Sequence, residues 1–186
     1  MMPRYSVFVL LMAFLVSPPL VNAAQPDAGY VRAGDLFPHI SGKTLSGRSL
    51  ELPAAATGKP AVVLFSFSRA AGKDAHLWNQ YLAKEFSSAV PVCEVVVLES
   101  VPKLFRGMAV SGIKSSMPLS RQDRTIVLYQ DEKLWKLRLA VSDNNRSYVV
   151  LLGPDGRIRW SNSAAYSDSE YARLKNEIEL LLHPHP

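Results

Sequence analysis

Cys93 is the single cysteine of the 186-residue chain, and it sets the first limit on chemistry. One cysteine closes no internal disulfide, builds no cysteine zinc cluster and forms no two-thiol redox pair. What remains is a monothiol reaction or a core side chain. Cys93 stands in Pro91-Val92-Cys93-Glu94-Val95-Val96-Val97-Leu98, a β-branched run that predicts a strand. No cation stands beside it in sequence to depress the thiol pKa. A small buried residue is the favoured reading and a reactive thiol the alternative.

Other candidate groups are weaker. Ser66 and Ser68 flank Phe67 without a Gly-x-Ser-x-Gly elbow or a spaced His and Asp, which disfavours a serine hydrolase. His39 and His76 have no ligand-spaced companion, and His183 and His185 share a proline-rich tail, so no metal site is expected. Residues 103–138 carry a local excess of five positive charges, through Lys103, Arg106, Lys114, Arg121, Arg124, Lys133, Lys136 and Arg138. Such a segment suits anionic lipid or an acidic partner, or is simply a solvated face. Phe105, Met108, Ile113 and Met117 in the same segment form either an adaptable apolar groove or core packing. In Arg157-Ile158-Arg159-Trp160 the alternation of a strand sends both arginines to one face and Ile158 and Trp160 to the other. That basic face is a candidate for binding acidic groups.

These residues must be positioned by a chain that is 48% hydrophobic and 20% charged, with a net charge of +5. The profile is that of one globular domain and excludes default disorder, while a charge this modest does not indicate nucleic-acid binding. Met1-Met2-Pro3-Arg4, the apolar run Tyr5–Val16, then Pro18-Pro19 and small residues up to Ala24 predict a secretory signal cleaved after Ala23. The expected organisation is signal peptide 1–23, leader 24–31, domain 32–182 and tail 183–186. An exported, periplasmic protein follows, or a membrane-tethered one if the signal is retained.

Within the domain, Leu36–Ile40 and Ser49–Leu52 read as short strands around a turn bracketed by Gly42 and Gly47. Ala61–Phe67 is a continuous apolar run of the kind buried on both sheet faces. Ala75, Leu77, Trp78, Tyr81, Leu82 and Phe86 recur at helical spacing from Lys73 to about Ser87, with Asp74 in the first turn. Residues 101–117 predict a helix weakened by Gly107 and Gly112 and ended by Pro118. Thr125–Tyr129 predicts a strand, and Asp131 a cap for a short helix through Leu139. A hairpin with the turn Gly153-Pro154-Asp155-Gly156 follows, then a last helix capped by Ser167 or Asp168 with Tyr171, Leu174, Ile178, Leu181 and Leu182 on its apolar face.

That order, with Gly58-Lys59-Pro60-Ala61-Val62-Val63-Leu64-Phe65 before the first long helix and Leu151-Leu152-Gly153-Pro154-Asp155-Gly156-Arg157-Ile158 before the last, resembles the thioredoxin-like superfamily over about residues 32–182. The resemblance implies an α/β fold: a thioredoxin-like mixed β-sheet flanked by helices, with an N-terminal β-hairpin extension. In those enzymes the loop after the buried strand carries the reactive cysteine at a helix N-terminus, where free amides stabilise a thiolate. The corresponding loop here, Ser68-Arg69-Ala70-Ala71-Gly72-Lys73-Asp74, has no thiol, and Ala70 and Lys73 fall at the two cysteine positions. Where the fold places a cis-proline before the Tyr148 strand, this chain has Asn145-Arg146-Ser147.

The C-terminal third, Asn145–Leu152 through Gly156-Arg157-Ile158-Arg159-Trp160 with Glu170 and Leu174, is most similar to the mitochondrial ATP synthase assembly factor family. That resemblance implies a non-catalytic, chaperone-like binding or assembly factor without a cofactor. Its partner would be a membrane protein or assembly intermediate, with a membrane surface as a further contact and no nucleic acid. The expected contact residues are Arg157, Arg159 and Trp160, with Arg69 and Lys73 on the degenerate redox loop. The alternative is an exported thioredoxin- or peroxiredoxin-like oxidoreductase using Cys93.

Overall fold

Six consecutive buried residues, Ala61–Ser66, form the central strand, since only a strand covered on both faces accepts such a run. In this computed structural model, which describes residues 31–183, the elements run β1 (Ile40–Lys43), β2 (Ser49–Leu52), a 3-10 turn (Ala54–Ala56), β3 (Ala61–Ser66), α1 (Arg69–Glu85) and β4 (Val92–Val97). They continue with α2 (Lys103–Ser115), α3 (Leu119–Gln122), β5 (Thr125–Leu128), α4 (Glu132–Arg138), β6 (Tyr148–Leu152), β7 (Ile158–Asn162) and α5 (Asp168–Leu182). The signal expected over 1–23 and most of the leader lie outside the described residues.

The main sheet has the order β5-β4-β3-β6-β7. β3, β4 and β5 are parallel, whereas β6 and β7 add as antiparallel strands. The mixed sheet and the separate β1–β2 hairpin are those expected from the sequence. Alternation along the strands divides the core. Val62, Leu64, Val149 and Leu151 meet Trp78 and Leu82 of α1 and Tyr171, Leu174 and Ile178 of α5. Val63, Phe65, Cys93, Val95, Tyr148 and Val150 face the other way, against Phe37, Ile40, Leu52, Trp135 and Leu139. Each fully buried side chain of this kind contributes roughly 1.5–3 kcal/mol through burial.

Several boundaries differ from the sequence expectation for identifiable reasons. The first helix begins at Arg69 rather than Lys73, because the Ser68 hydroxyl accepts from the Ala71 amide and caps it. Asp74 consequently lies beyond the first turn. The first strand is Ile40–Lys43, not Leu36–Ile40, and Gly42 belongs to it rather than to the turn. A side chain at Gly42 would collide with the Ile126 methyl of β5, so this glycine permits the hairpin to press on the sheet edge. Asp131 adopts a left-handed backbone and makes no capping bond. Glu99 caps α4 instead, accepting from the Glu132 amide at 2.6 Å, while Glu132 accepts from the Ser100 amide at 3.0 Å. Ser167 caps α5 as expected.

Candidate functional site

The first turn of α1 presents Arg69 and Ala70, with Lys73 one turn on, all exposed. Cys93 is remote in role from this turn: it is buried in β4, and burial pushes its thiol up from 9.0 to about 11, with Glu94 adding to the rise and Arg124 opposing it. The thiol therefore stays protonated at neutral pH, where a nucleophile would need to be a thiolate. Neither Ala70 nor Lys73 attacks a disulfide.

Asp74 ties this turn to the rest of the fold. Its Oδ2 accepts from the Ser147 amide at 3.0 Å and from the Ser147 hydroxyl at 2.5 Å, and its Oδ1 accepts from the Tyr166 amide at 2.8 Å. Ser68 Oγ donates to Asn145 Oδ1 at 3.4 Å. The segment Asn145–Ser147 is thus held against α1 by side chains, and the bond from the Ser147 amide is one a proline could not make. Lys136 Nζ lies 5.6 Å from the centre of the Phe67 ring at the end of β3, adding a cation near the same turn. Lys136 is itself paired with Glu132 at 2.6 Å, whereas Arg69 and Lys73 are exposed on α1 beside the Ser68–Asn145 contact.

A second polar centre was not legible as a site in the sequence. Glu94, buried on β4, receives Arg121 Nε on Oε1 at 2.5 Å and Arg121 Nη2 on Oε2 at 2.9 Å, and also accepts from Asn79 at 2.9 Å. Arg121 Nη1 donates to His76 Nδ1 at 2.6 Å. This network fastens α3 to α1 and the sheet, and gives His76 a structural partner. His39 lies across from Glu51, 3.8 Å away, on the β1–β2 hairpin.

The hairpin arginines are placed differently from the sequence expectation. A bulge between Leu151 and Leu152 pairs Leu151 with Trp160 and Leu152 with Ile158, leaving Arg159 as the extra residue. Ile158 and Trp160 accordingly pack on opposite faces of the sheet, not on one face. Arg159 folds over Gly153 and pairs with Asp155 at 2.7 Å, while Arg157 donates to the Gly34 carbonyl at 2.8 Å. Trp160 is half-buried against the α1–α5 side of the core. The two clusters named from sequence therefore stand apart: Arg69 and Lys73 on α1, and Arg157, Arg159 and Trp160 on the edge hairpin. A cleft of about 180 Å³ beside β7, lined by Arg138, Tyr148, Ser161 and Asn162 among others, includes none of them.

Comparisons with known proteins agree with this geometry. Structural relatives include a putative thiol:disulfide interchange protein DsbE from Chlorobium tepidum, with TM-score 0.62 and 13% identity over 82% of this chain and 99% of that one. The exposed lipoprotein thioredoxin Etrx1 from Streptococcus pneumoniae matches with TM-score 0.55 and 17% identity over 77% of this chain and 100% of its own. BsSco, a member of the Sco family of cytochrome c oxidase assembly proteins, matches with TM-score 0.57 and 14% identity over 80% and 97%. At these identities the likeness establishes the thioredoxin-like fold alone. In sequence, the chain is 29% identical over 146 residues to the mitochondrial ATPase complex subunit ATP10 of Eremothecium gossypii, covering 73% of this chain and 53% of the relative. The chain thus spans about half the length of that curated relative. Because the relative is mitochondrial, the expected export to a periplasm is overturned. The model of the ATP10 protein family matches residues 32–181, nearly the whole described domain, and the chain belongs to that family.

Proposed function

We propose that this chain is a non-catalytic assembly factor of the ATP synthase, acting in mitochondria like the relative it resembles, and that it works by holding a protein component rather than by thiol chemistry. The observation that carries this reading is the thiol-free start of α1, where Ala70 in the first turn and Lys73 one turn on stand on an otherwise intact thioredoxin-like frame and the lone Cys93 is buried and protonated. Membership of the ATP10 family supports an assembly role. The proposed contacts are Arg69 and Lys73 on α1, with Arg157 and Arg159 on the hairpin and Trp160 supporting the latter. The free face of the α1 turn favours Arg69 and Lys73 as the stronger pair, because the hairpin arginines are already engaged by Asp155 and Gly34.

A pull-down from detergent-solubilised mitochondrial membranes tests the reading, comparing the wild type with Arg69→Glu/Lys73→Glu and with Arg157→Glu/Arg159→Glu. Loss of ATP synthase subunits with the first variant is the expected result. Equal recovery of those subunits by all three proteins would reject the assigned contacts, and turnover of a disulfide or hydroperoxide at an enzymatic rate would reject the non-catalytic role.

A further inference from the structure

Helix α2 has no buried residue, although half of its side chains are apolar. Its inward side, Ala109, Val110 and Ile113, rests partly covered on Leu45, Leu98 and Val127, together with Val101 and Met117. Leu104, Phe105 and Met108 share the other side through their three- and four-residue spacing, and are 87%, 48% and 68% exposed. Leu119, at the start of α3, is 75% exposed. Leu104, Phe105 and Met108 thus put three large apolar side chains in solvent on one side of a single helix, more than the scatter of single surface residues.

Charge identifies what this surface meets. From Val101 to Gln122 there is no aspartate or glutamate, and there are four cations, Lys103, Arg106, Lys114 and Arg121. Arg106 is held by the carbonyls of Glu99 and Val101 and stacks on Tyr129, and Arg121 is committed to Glu94. The acids next to the segment are occupied too: Glu99 caps α4 and Asp123 pairs with Arg48. Lys103 and Lys114 at the two ends of α2 pair with no acid among the described residues. An exposed apolar helix side of Leu, Phe and Met, free of acids, with two exposed and unpaired lysines along the same helix, is the pattern of a helix lying in a bilayer interface with its cations among anionic headgroups. No helix of the described residues is long and apolar enough to cross a membrane.

We infer that the Leu104–Phe105–Met108 face of α2 docks on a bilayer surface rich in anionic lipid. This inference stands independently of the assembly reading, because it concerns lipid rather than the protein component held at α1.

The test uses the full chain with an environment-sensitive fluorophore attached at Met108→Cys; buried Cys93 does not compete for the label under native conditions. A second labelled protein, Asn176→Cys on exposed α5, reports any adsorption that does not involve α2. On adding vesicles of phosphatidylcholine mixed with phosphatidylglycerol, the probe at 108 is expected to shift to the blue and become protected from an aqueous quencher. The probe at 176 is expected to stay exposed. Phosphatidylcholine vesicles alone, or high salt, should weaken the effect at 108, and Lys103→Gln and Lys114→Gln should each weaken it about fivefold. An unprotected probe at 108, equal protection at both positions, or indifference to lipid charge would overturn the inference. So would protection at 108 by solubilised membrane proteins but not by vesicles, which would give the face to a protein. Because the readout is local to α2, its failure leaves the pull-down at Arg69 and Lys73 unaffected.

Discussion

The Asp74 carboxylate of α1 closes on Ser147 at the start of β6, accepting from both its amide and its hydroxyl. Its second oxygen takes the Tyr166 amide, so one side chain ties the turn preceding β6 and the segment preceding α5 to α1. Tyr166 in turn stacks on Tyr81 with ring centres 5.0 Å apart and meets Trp78 edge-on at 5.3 Å. Asn145–Ser147, Tyr166 and α1 are thus joined by one hydrogen-bonded clamp.

Replacing Asp74 with alanine strands the Ser147 and Tyr166 donors in a part-buried setting. Hydrogen bonds to a charged acceptor contribute about 1.5–3 kcal/mol each at most and are not additive, so a total loss of about 3 kcal/mol is expected. Urea denaturation of Asp74→Ala against the wild type measures it. Ser147→Ala, which keeps the amide bond and loses only the hydroxyl, should cost less than half as much. Equal stability of Asp74→Ala and the wild type would show that the clamp does not hold the fold.

The Glu94–Arg121 pair is deeply placed, with side-chain exposures of 6% and 12%. Arg121→Met leaves the Glu94 charge buried with Asn79 alone, and a loss of about 3–5 kcal/mol is expected. In Glu94→Leu/Arg121→Met both charges are gone and the loss should shrink to about 1 kcal/mol or less. A double-mutant cycle by chemical denaturation checks this, and additive single losses would contradict the coupling.

Cys93 gives a pH prediction whose sign is fixed. Its folded-state thiol is raised from 9.0 to about 11, so between those values the native state holds a proton that the unfolded chain has released. Stability from this group is full below about pH 9 and falls as pH rises towards 11. Comparison of unfolding free energies for wild type and Cys93→Ala at pH 7 and pH 10 should show the wild type losing more over that interval. A thiol reagent should modify Cys93 at neutral pH only at the rate of unfolding. Rapid modification of the native protein would place the sulfur at the surface and revive the oxidoreductase alternative.

Much of the architecture could be read from periodicity, because burial on two faces leaves an unbroken apolar run in β3 and burial on one side leaves a stripe in α1 and α5. The order of elements, the absence of a thiol at the α1 turn and the ATP10-family likeness were all carried by residue identity alone. Side-chain partners far apart in the chain were not. Asp74 reads as a first-turn acid and Glu94 carries no local signal at all, since nothing local tells a carboxylate which amide or guanidinium it will meet.

The tertiary structure decided three further matters. The bulge at Arg159 turned Ile158 and Trp160 to opposite faces, and a one-residue insertion in pairing leaves no trace in an alternating pattern. The apolar residues of α2, which read as one helical stripe, separated into an inward set and an outward set, because the sheet edge has room for only one side of that helix. The hairpin arginines found partners in Asp155 and Gly34, which leaves the α1 turn as the freer basic surface. Sequence determined which groups this protein has available, and packing determined which of them are already satisfied, because a hydrogen bond or an apolar contact is settled by distance in space rather than by separation along the chain.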